Sequence, residues 1–315
     1  MTPDSTLPEP GITILDGGLS TQLEAMGHAI SGSLWTGRAL LDQPGAIEEA
    51  HRAFVDAGAD VLITASYQVS RQGFVEAGLS AADADKCLVR SIAVARRAAG
   101  SRALVAASVG PYGAILGDNA EYRGNYGVGI AELREFHRPR VEVMATAEPD
   151  WFAVETIPDV REVEALVDVL ADHPDIPVWV SFTARSGSQV CAGQSIEEAV
   201  AVAAAIPSVQ RVGVNCTNPD FVPELIDRMR SATDLPIIVY PNTAGAWDPE
   251  TGTHRMVSPD VSARSAREWV DRGATWVGGC CGTTASRIAV IRAALIGPDS
   301  RQLTASHSAS SHPAA

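Results

Sequence analysis

At 315 residues the chain exceeds the usual single-domain size, yet its 46% hydrophobic and 20% charged composition is that of a globular protein, and eight-fold α/β barrels use this length as one domain. A formal net charge of −14 excludes a nucleic-acid backbone as partner, which needs a clustered positive surface, and no apolar run approaches the roughly 20 residues that cross a bilayer. The start, MTPDSTLPEP, has no basic residues followed by an apolar stretch, so a cytoplasmic protein is expected, and the single lysine, Lys86, leaves Schiff-base chemistry almost no nucleophile.

Residues 1–10 and 299–315 are small and polar and are expected to be disordered tails, leaving residues 11–298 as the folded domain. The first apolar, β-prone run spans residues 12–15. Seven more follow in order, at residues 61–64, 104–109, 151–154, 178–182, 212–214, 237–240 and 276–277. Helical spacing fills the intervals, as in Ile47, Ala50 and Phe54, then Val160, Val163, Leu166, Val167 and Leu170, and finally Ile288, Ile291 and Leu295. Strictly alternating strands and helices imply parallel strands with both faces covered, and eight such units predict a single-domain (β/α)8 barrel. The helix-to-strand turns at residues 57–60, 148–150 and 271–274 are short and read as plain connectors. In contrast, the strand-to-helix segments 17–44, 110–129 and 241–259 are long, which marks the carboxyl-terminal mouth as the working end.

Chemistry concentrates at that mouth. Gly213-Val214-Asn215-Cys216 closes the sixth strand and Gly278-Gly279-Cys280-Cys281-Gly282 the eighth. Zinc in a catalytic site takes three protein ligands and leaves one position open, and three cysteines on two strand ends match that count. Each cysteine alone would read as a small buried hydrophobe. Cys87, in the second helix, and Cys191, after the fifth strand, are read that way. The glycines around the Cys280-Cys281 pair are expected to let the backbone turn tightly enough for both side chains to reach one ion. A phosphate cradle at the same glycines is disfavoured, because thiolates would repel the anion. Asp16-Gly17-Gly18 ends the first strand, where glycine amides can approach an anion such as a carboxylate; a tight turn with Asp16 capping the backbone is the alternative. Glu155, placed at the end of the fourth strand, offers a site for an ammonium group, or else pairs with an arginine such as Arg185. His137 is placed at the start of the third helix and read as a helix-face residue.

Ten segments carry a resemblance through nearly the whole barrel: LDGGLSTQLE from Leu15, ITASYQ from Ile63, SVGPYGA from Ser108, EYRGNY from Glu121, FHRPR from Phe136, ET at Glu155, SFT from Ser181, GVNC, YPNTAG from Tyr240, and GGCCGTT. With them the chain closely resembles the homocysteine S-methyltransferases, and GPYGA with EYRG resembles the branch that uses S-methylmethionine. The resemblance implies that Cys216, Cys280 and Cys281 bind Zn2+, that the amides of Asp16, Gly17 and Gly18 meet the homocysteine carboxylate, and that Glu155 meets its amine. It further implies methyl transfer from S-methylmethionine, or S-adenosylmethionine, to homocysteine, giving methionine. The YPNTAG segment carries Thr243 where relatives often have serine, beside Asn242. The loop aromatics Trp35, Tyr67, Tyr112, Tyr122 and Tyr126 could close over a sulfonium by cation–π contact or simply pack. Betaine as donor, selenocysteine as acceptor, and a zinc- or thiol-binding barrel without turnover stay open at this point.

Overall fold

The computed structural model describes residues 11–28, 34–248, 253–256 and 260–297. Among these residues run ten strands: β1 (Thr13–Ile14), β2 (Val61–Ile63), β3 (Leu104–Val109), β4 (Trp151–Ile157), β5 (Val178–Phe182), β6 (Val209–Asn215), β7 (Ile237–Tyr240), β8 (Ala244–Asp248), β9 (Thr253–Met256) and β10 (Ala274–Val277). Eight of them form one parallel sheet in the order β1-β10-β7-β6-β5-β4-β3-β2. A parallel bridge between Leu15 and Val61 closes that sheet into the expected barrel. The Asp16 N–H donates to Val61 O at 3.1 Å, and Asp16 Oδ2 accepts the Ile63 N–H at 2.9 Å. Asp16 therefore fastens the seam between β1 and β2. No described helix is long and apolar enough to cross a membrane.

The strand runs were readable because barrel strands are buried on both faces. Phe152 and Val154 pack outward against the helices, whereas Trp151 and Ala153 fill the barrel interior with Leu15, Trp179, Ile238 and Trp276. The indoles of Trp151, Trp179 and Trp276 touch edge to face or tilted, with centroids 5.1 to 6.0 Å apart. The Arg211 guanidinium lies 4.2 Å from the Trp276 ring centroid. The interior is thus a packed core, and an open pocket lies above it, at the mouth.

Three expectations are revised. The segment 17–44 is not a loop but carries helices Leu19–Ala25 and Trp35–Asp42; 110–129 carries the 3-10 turns Tyr112–Ile115 and Ala120–Tyr122; and 241–259 carries the antiparallel hairpin β8–β9. Local hydrogen bonding thus satisfies much of the described backbone of these excursions. The short turns are more than connectors. Asp60 Oδ2 accepts the Ile14 N–H at 3.0 Å and Asp150 Oδ2 the Val105 N–H at 2.7 Å, so each aspartate caps a strand at the barrel floor. Finally, β4 continues past Val154 to Ile157, with a register irregularity between them.

His51 sits on helix Pro44–Asp56, fully buried, and neither ring nitrogen has a hydrogen-bond partner. Burial lowers its pKa to about 4. The unfolded chain therefore takes up the proton first as pH falls. Stability is full above about 6.5 and is lost between there and about 4, on the order of 3 kcal/mol in total. Thermal melts from pH 7 to 4.5 should fall more steeply for the wild type than for His51→Leu. Parallel pH slopes would contradict a neutral, desolvated histidine.

Candidate metal and substrate site

β6 and β10 flank β7 in the sheet, which brings their distant carboxyl ends to neighbouring points of the rim. Cys216 directly follows β6, and Cys280 and Cys281 follow β10. The three sulfurs lie within 4.8 Å of one another, and Cys216 Sγ is 3.6 Å from Cys281 Sγ. No disulfide joins any of the five cysteines. Cys87 and Cys191 stand apart from the cluster, Cys87 against Gly37 and Cys191 against Thr183.

The backbone is strained to achieve this. Cys216 has φ +47°, a left-handed conformation that costs a non-glycine residue about 1–2 kcal/mol. Its N–H donates to Tyr240 O at 3.3 Å and its carbonyl accepts the Thr183 hydroxyl at 3.1 Å. Asn242 Oδ1 accepts the Cys281 N–H at 3.1 Å, which gives Asn242 a definite role as an anchor of that ligand. The glycines serve differently from expectation. Only Gly282 takes a positive φ, +80°. Gly278 and Gly279 instead permit close packing, because a Cβ would come within 2.6 Å of Leu15 Cβ at the first and 2.2 Å of Thr283 Oγ1 at the second.

The donor set fits a soft divalent cation. The Cys280 thiol is held well above its ordinary value by hydrogen bonds with Cys216 and Cys281, by burial, and by the charge of the same two sulfurs. Three crowded thiolates repel one another, and a shared cation relieves that repulsion. Tyr122, reaching over from the 3-10 turn Ala120–Tyr122, places its hydroxyl 2.9 Å from Cys216 Sγ. Burial pushes that phenol up, so it stays protonated and can donate to the sulfur.

Glu155 does not end its strand but lies inside β4, beside Thr156, whose φ is +59°. Asn215 clamps this irregular point, its Oδ1 accepting the Thr156 N–H and its Nδ2 donating to Thr156 Oγ1, each at 2.7 Å. The bulge aims Glu155 into the mouth pocket. One carboxylate oxygen accepts the Ser108 hydroxyl at 2.5 Å and the other the Tyr240 hydroxyl at 3.1 Å. Tyr240 is itself held by Trp179 Nε1 at 3.0 Å and lies 2.6 Å from Ser181 Oγ. Burial raises the Glu155 pKa to about 7, with the Ser108 and Tyr240 bonds opposing it. Arg185 is not its partner: that guanidinium donates to Gln189 Oε1 at 2.9 Å, and among the described residues no basic side chain pairs with Glu155.

The Asp16-Gly17-Gly18 turn is largely committed to the barrel. The Gly18 N–H donates to Thr283 O at 3.0 Å and the Asp16 N–H is taken by Val61, so neither amide can hold a ligand carboxylate in this arrangement. Only the Gly17 N–H has no described acceptor. Of the three amides expected to form a cradle only that of Gly17 is left open here, because Val61 and Thr283 take the other two. Burial lifts the Asp16 carboxyl well above the usual range, and its Oδ1 is buried without a partner.

The pocket over the cysteines opens to solvent, with Gly17, Gly18, Tyr67, Gln68, Glu121 and Tyr122 among its lining. Of the loop aromatics, Tyr67 and Tyr122 face it. Tyr112 and Tyr126 instead pack with Leu133 and Phe136, and the Trp35 side chain lies outside the described residues. His137 is not at a helix start but in the middle of helix Ile130–Ala145, buried, with Nε2 2.8 Å from Glu162 Oε1. Sequence reading missed Ser108, Tyr240 and Asn215 as site residues. The available signal was a polar side chain at the mouth end of an otherwise apolar strand.

A family profile described as homocysteine S-methyltransferase matches residues 13–295. Homocysteine S-methyltransferase 1 of Zea mays is 38% identical over 309 residues, covering 91% of this chain and 95% of its own. Selenocysteine Se-methyltransferase of Brassica oleracea var. italica is 37% identical, covering 96% of this chain and 93% of its own. Among solved structures, the metallated form of the homocysteine methyltransferase MmuM from Escherichia coli superposes with a TM-score of 0.82 at 36% identity, covering 90% of this chain and 96% of that one.

Proposed function

The chain belongs to the homocysteine S-methyltransferase family, and from that premise we propose that it methylates homocysteine with S-methylmethionine as donor, using zinc held by Cys216, Cys280 and Cys281. The observation that carries the reading is the cluster itself: three sulfurs within 4.8 Å under a pocket whose wall bears the unpaired carboxylate of Glu155. Bound zinc would supply a Lewis acid that favours the thiolate form of an acceptor whose ordinary pKa, roughly 8.5, leaves it protonated at neutral pH. Five cysteines without a disulfide suit a reducing cytoplasm.

The chain's residues then bind and orient. Glu155 receives the acceptor's ammonium, and Ser108 and Tyr240 fix the carboxylate for it. The Gly17 amide is left for the acceptor's carboxylate. Tyr122 donates to Cys216 Sγ and draws charge from that sulfur. In the transfer the donor's S–CH3 bond breaks with its electron pair going to the departing sulfur, which becomes a neutral thioether. The acceptor sulfur forms the new S–CH3 bond, and its proton has gone to solvent. No acid is needed for such a leaving group, so positioning at near-attack distance is the protein's main contribution.

Purified metal-loaded protein supplied with homocysteine and, separately, S-methylmethionine, S-adenosylmethionine, and betaine should give the highest kcat/KM with S-methylmethionine and two methionines per turnover. Faster transfer from betaine, with dimethylglycine formed, would sink the donor assignment. Selenocysteine is a second acceptor to test, favoured by the similarity to the Brassica oleracea enzyme.

A further inference from the structure

Two amino acids enter this mouth in the proposed reaction, and each brings an ammonium group. Glu155 provides for one. The pocket contains a second carboxylate, Glu121, carried on the 3-10 turn Ala120–Tyr122 after β3. It is half-buried, and among the described residues no arginine, lysine or histidine pairs with it. Its surroundings are the reverse of a salt bridge: burial and the Cys281 sulfur both push its carboxyl up, and Tyr67 lies near enough to feel its charge.

The turn that presents Glu121 is built to hold position. Tyr122 anchors it to Cys216 at 2.9 Å, and the Gly124 N–H donates to Ala120 O at 3.1 Å. The next bend is tied to helix Val160–Ala171 through the Asn125 N–H, which donates to Asp159 Oδ2 at 3.2 Å. Gly113 lies so close beneath that a Cβ there would sit 2.6 Å from the Glu121 nitrogen. An unpaired carboxylate on a fixed mount, in a pocket that already holds three sulfurs, calls for a cation.

A sulfonium donor offers two positive charges, and they are not equivalent. The sulfonium charge disappears as the methyl leaves, so a carboxylate against it would stabilise the ground state more than the transition state. The ammonium charge persists throughout. We propose that Glu121 binds the ammonium group of the methyl donor, and so selects an amino-acid sulfonium over a sulfonium without an amine. This rests on the donor reading above.

The test uses the metal-loaded enzyme and Glu121→Gln, with S-methylmethionine and with dimethylsulfoniopropionate, a sulfonium acid lacking the amine, followed as donor or as competitive inhibitor. The substitution should raise the KM for S-methylmethionine about tenfold to a hundredfold with kcat nearly unchanged. The constant for the amine-free sulfonium, the homocysteine KM and the metal content should not move. Glu121→Asp, which keeps the charge, should recover part of the selectivity, whereas a general structural defect would not be relieved. Equal losses with both sulfoniums, or an unchanged KM for S-methylmethionine, would overturn the assignment of Glu121 alone. A wild type that takes no methyl from S-methylmethionine overturns the donor reading and this inference with it.

Discussion

Replacing Cys216, Cys280 or Cys281 with serine should strip most of the metal from the purified protein and lower kcat/KM by on the order of a thousandfold or more, while Cys87→Ser and Cys191→Ser leave both intact. The asymmetry follows from geometry. The first three sulfurs share a space less than 4.8 Å across, and the other two sit against Gly37 and Thr183, away from it. A hydroxyl is a poor ligand for zinc beside thiolates, and with two sulfurs left the site no longer closes around one ion. Serine is close to isosteric, so the Cys216 backbone at φ +47° is asked to bear nothing new and the barrel should melt near its wild-type temperature. Metal analysis beside a melting curve therefore separates loss of the site from loss of the fold. Stoichiometric metal with full turnover in any of the three variants would remove the cluster from the mechanism.

Glu155→Gln should raise the KM for homocysteine by roughly 30-fold to more than a thousandfold, corresponding to about 2–5 kcal/mol for a buried charge left without its partner. Metal should stay bound, because Glu155 hydrogen-bonds Ser108 and Tyr240 and not the sulfurs. Its pKa near 7 adds a pH signature. A raised carboxyl pKa means that the group is neutral below about 7 and charged above, so kcat/KM for homocysteine in the wild type climbs through neutrality as the ammonium site forms. The glutamine variant lacks that limb and keeps only the rise due to the acceptor thiol. With 4-mercaptobutyrate, the same acid without the amine, wild type and variant should perform alike. A preserved limb, or an equal loss with the amine-free acceptor, would assign Glu155 another role.

The barrel was legible because each of its strands is buried on two sides and so is written as a short unbroken apolar run. The cysteines were legible because Cys216 and the Cys280-Cys281 pair each follow such a run. What stayed hidden was contact between elements. Ser108 and Tyr240 belong to β3 and β7, and nothing along the chain says that both meet a carboxylate on β4. Glu155 read as a strand-end residue because an irregular register is invisible to alternation; it needed the clamp from Asn215, two strands away, to be seen. The Asp16-Gly17-Gly18 amides read as an anion cradle because glycine leaves both options open. The seam with Val61 and Thr283 decided against two of them. Glu121 is visible in the sequence only as part of a motif, since a glutamate in a polar loop carries no mark of the pocket it faces.

The place of β10 between β1 and β7 has a consequence for a chain made from its amino end. The first strand must wait for the last before it has a neighbour on that side, and the waiting ends with the segment that brings in Cys280 and Cys281. The same segment ties back to the beginning through Thr283 O, which receives the Gly18 N–H at 3.0 Å, and through the Ala285 N–H, which donates to Gln22 Oε1 at 2.9 Å. A nascent chain released before this point has Cys216 alone and no ring. The segment that completes the ring therefore also completes the cysteine cluster, and an ion held by all three sulfurs would mark a closed barrel.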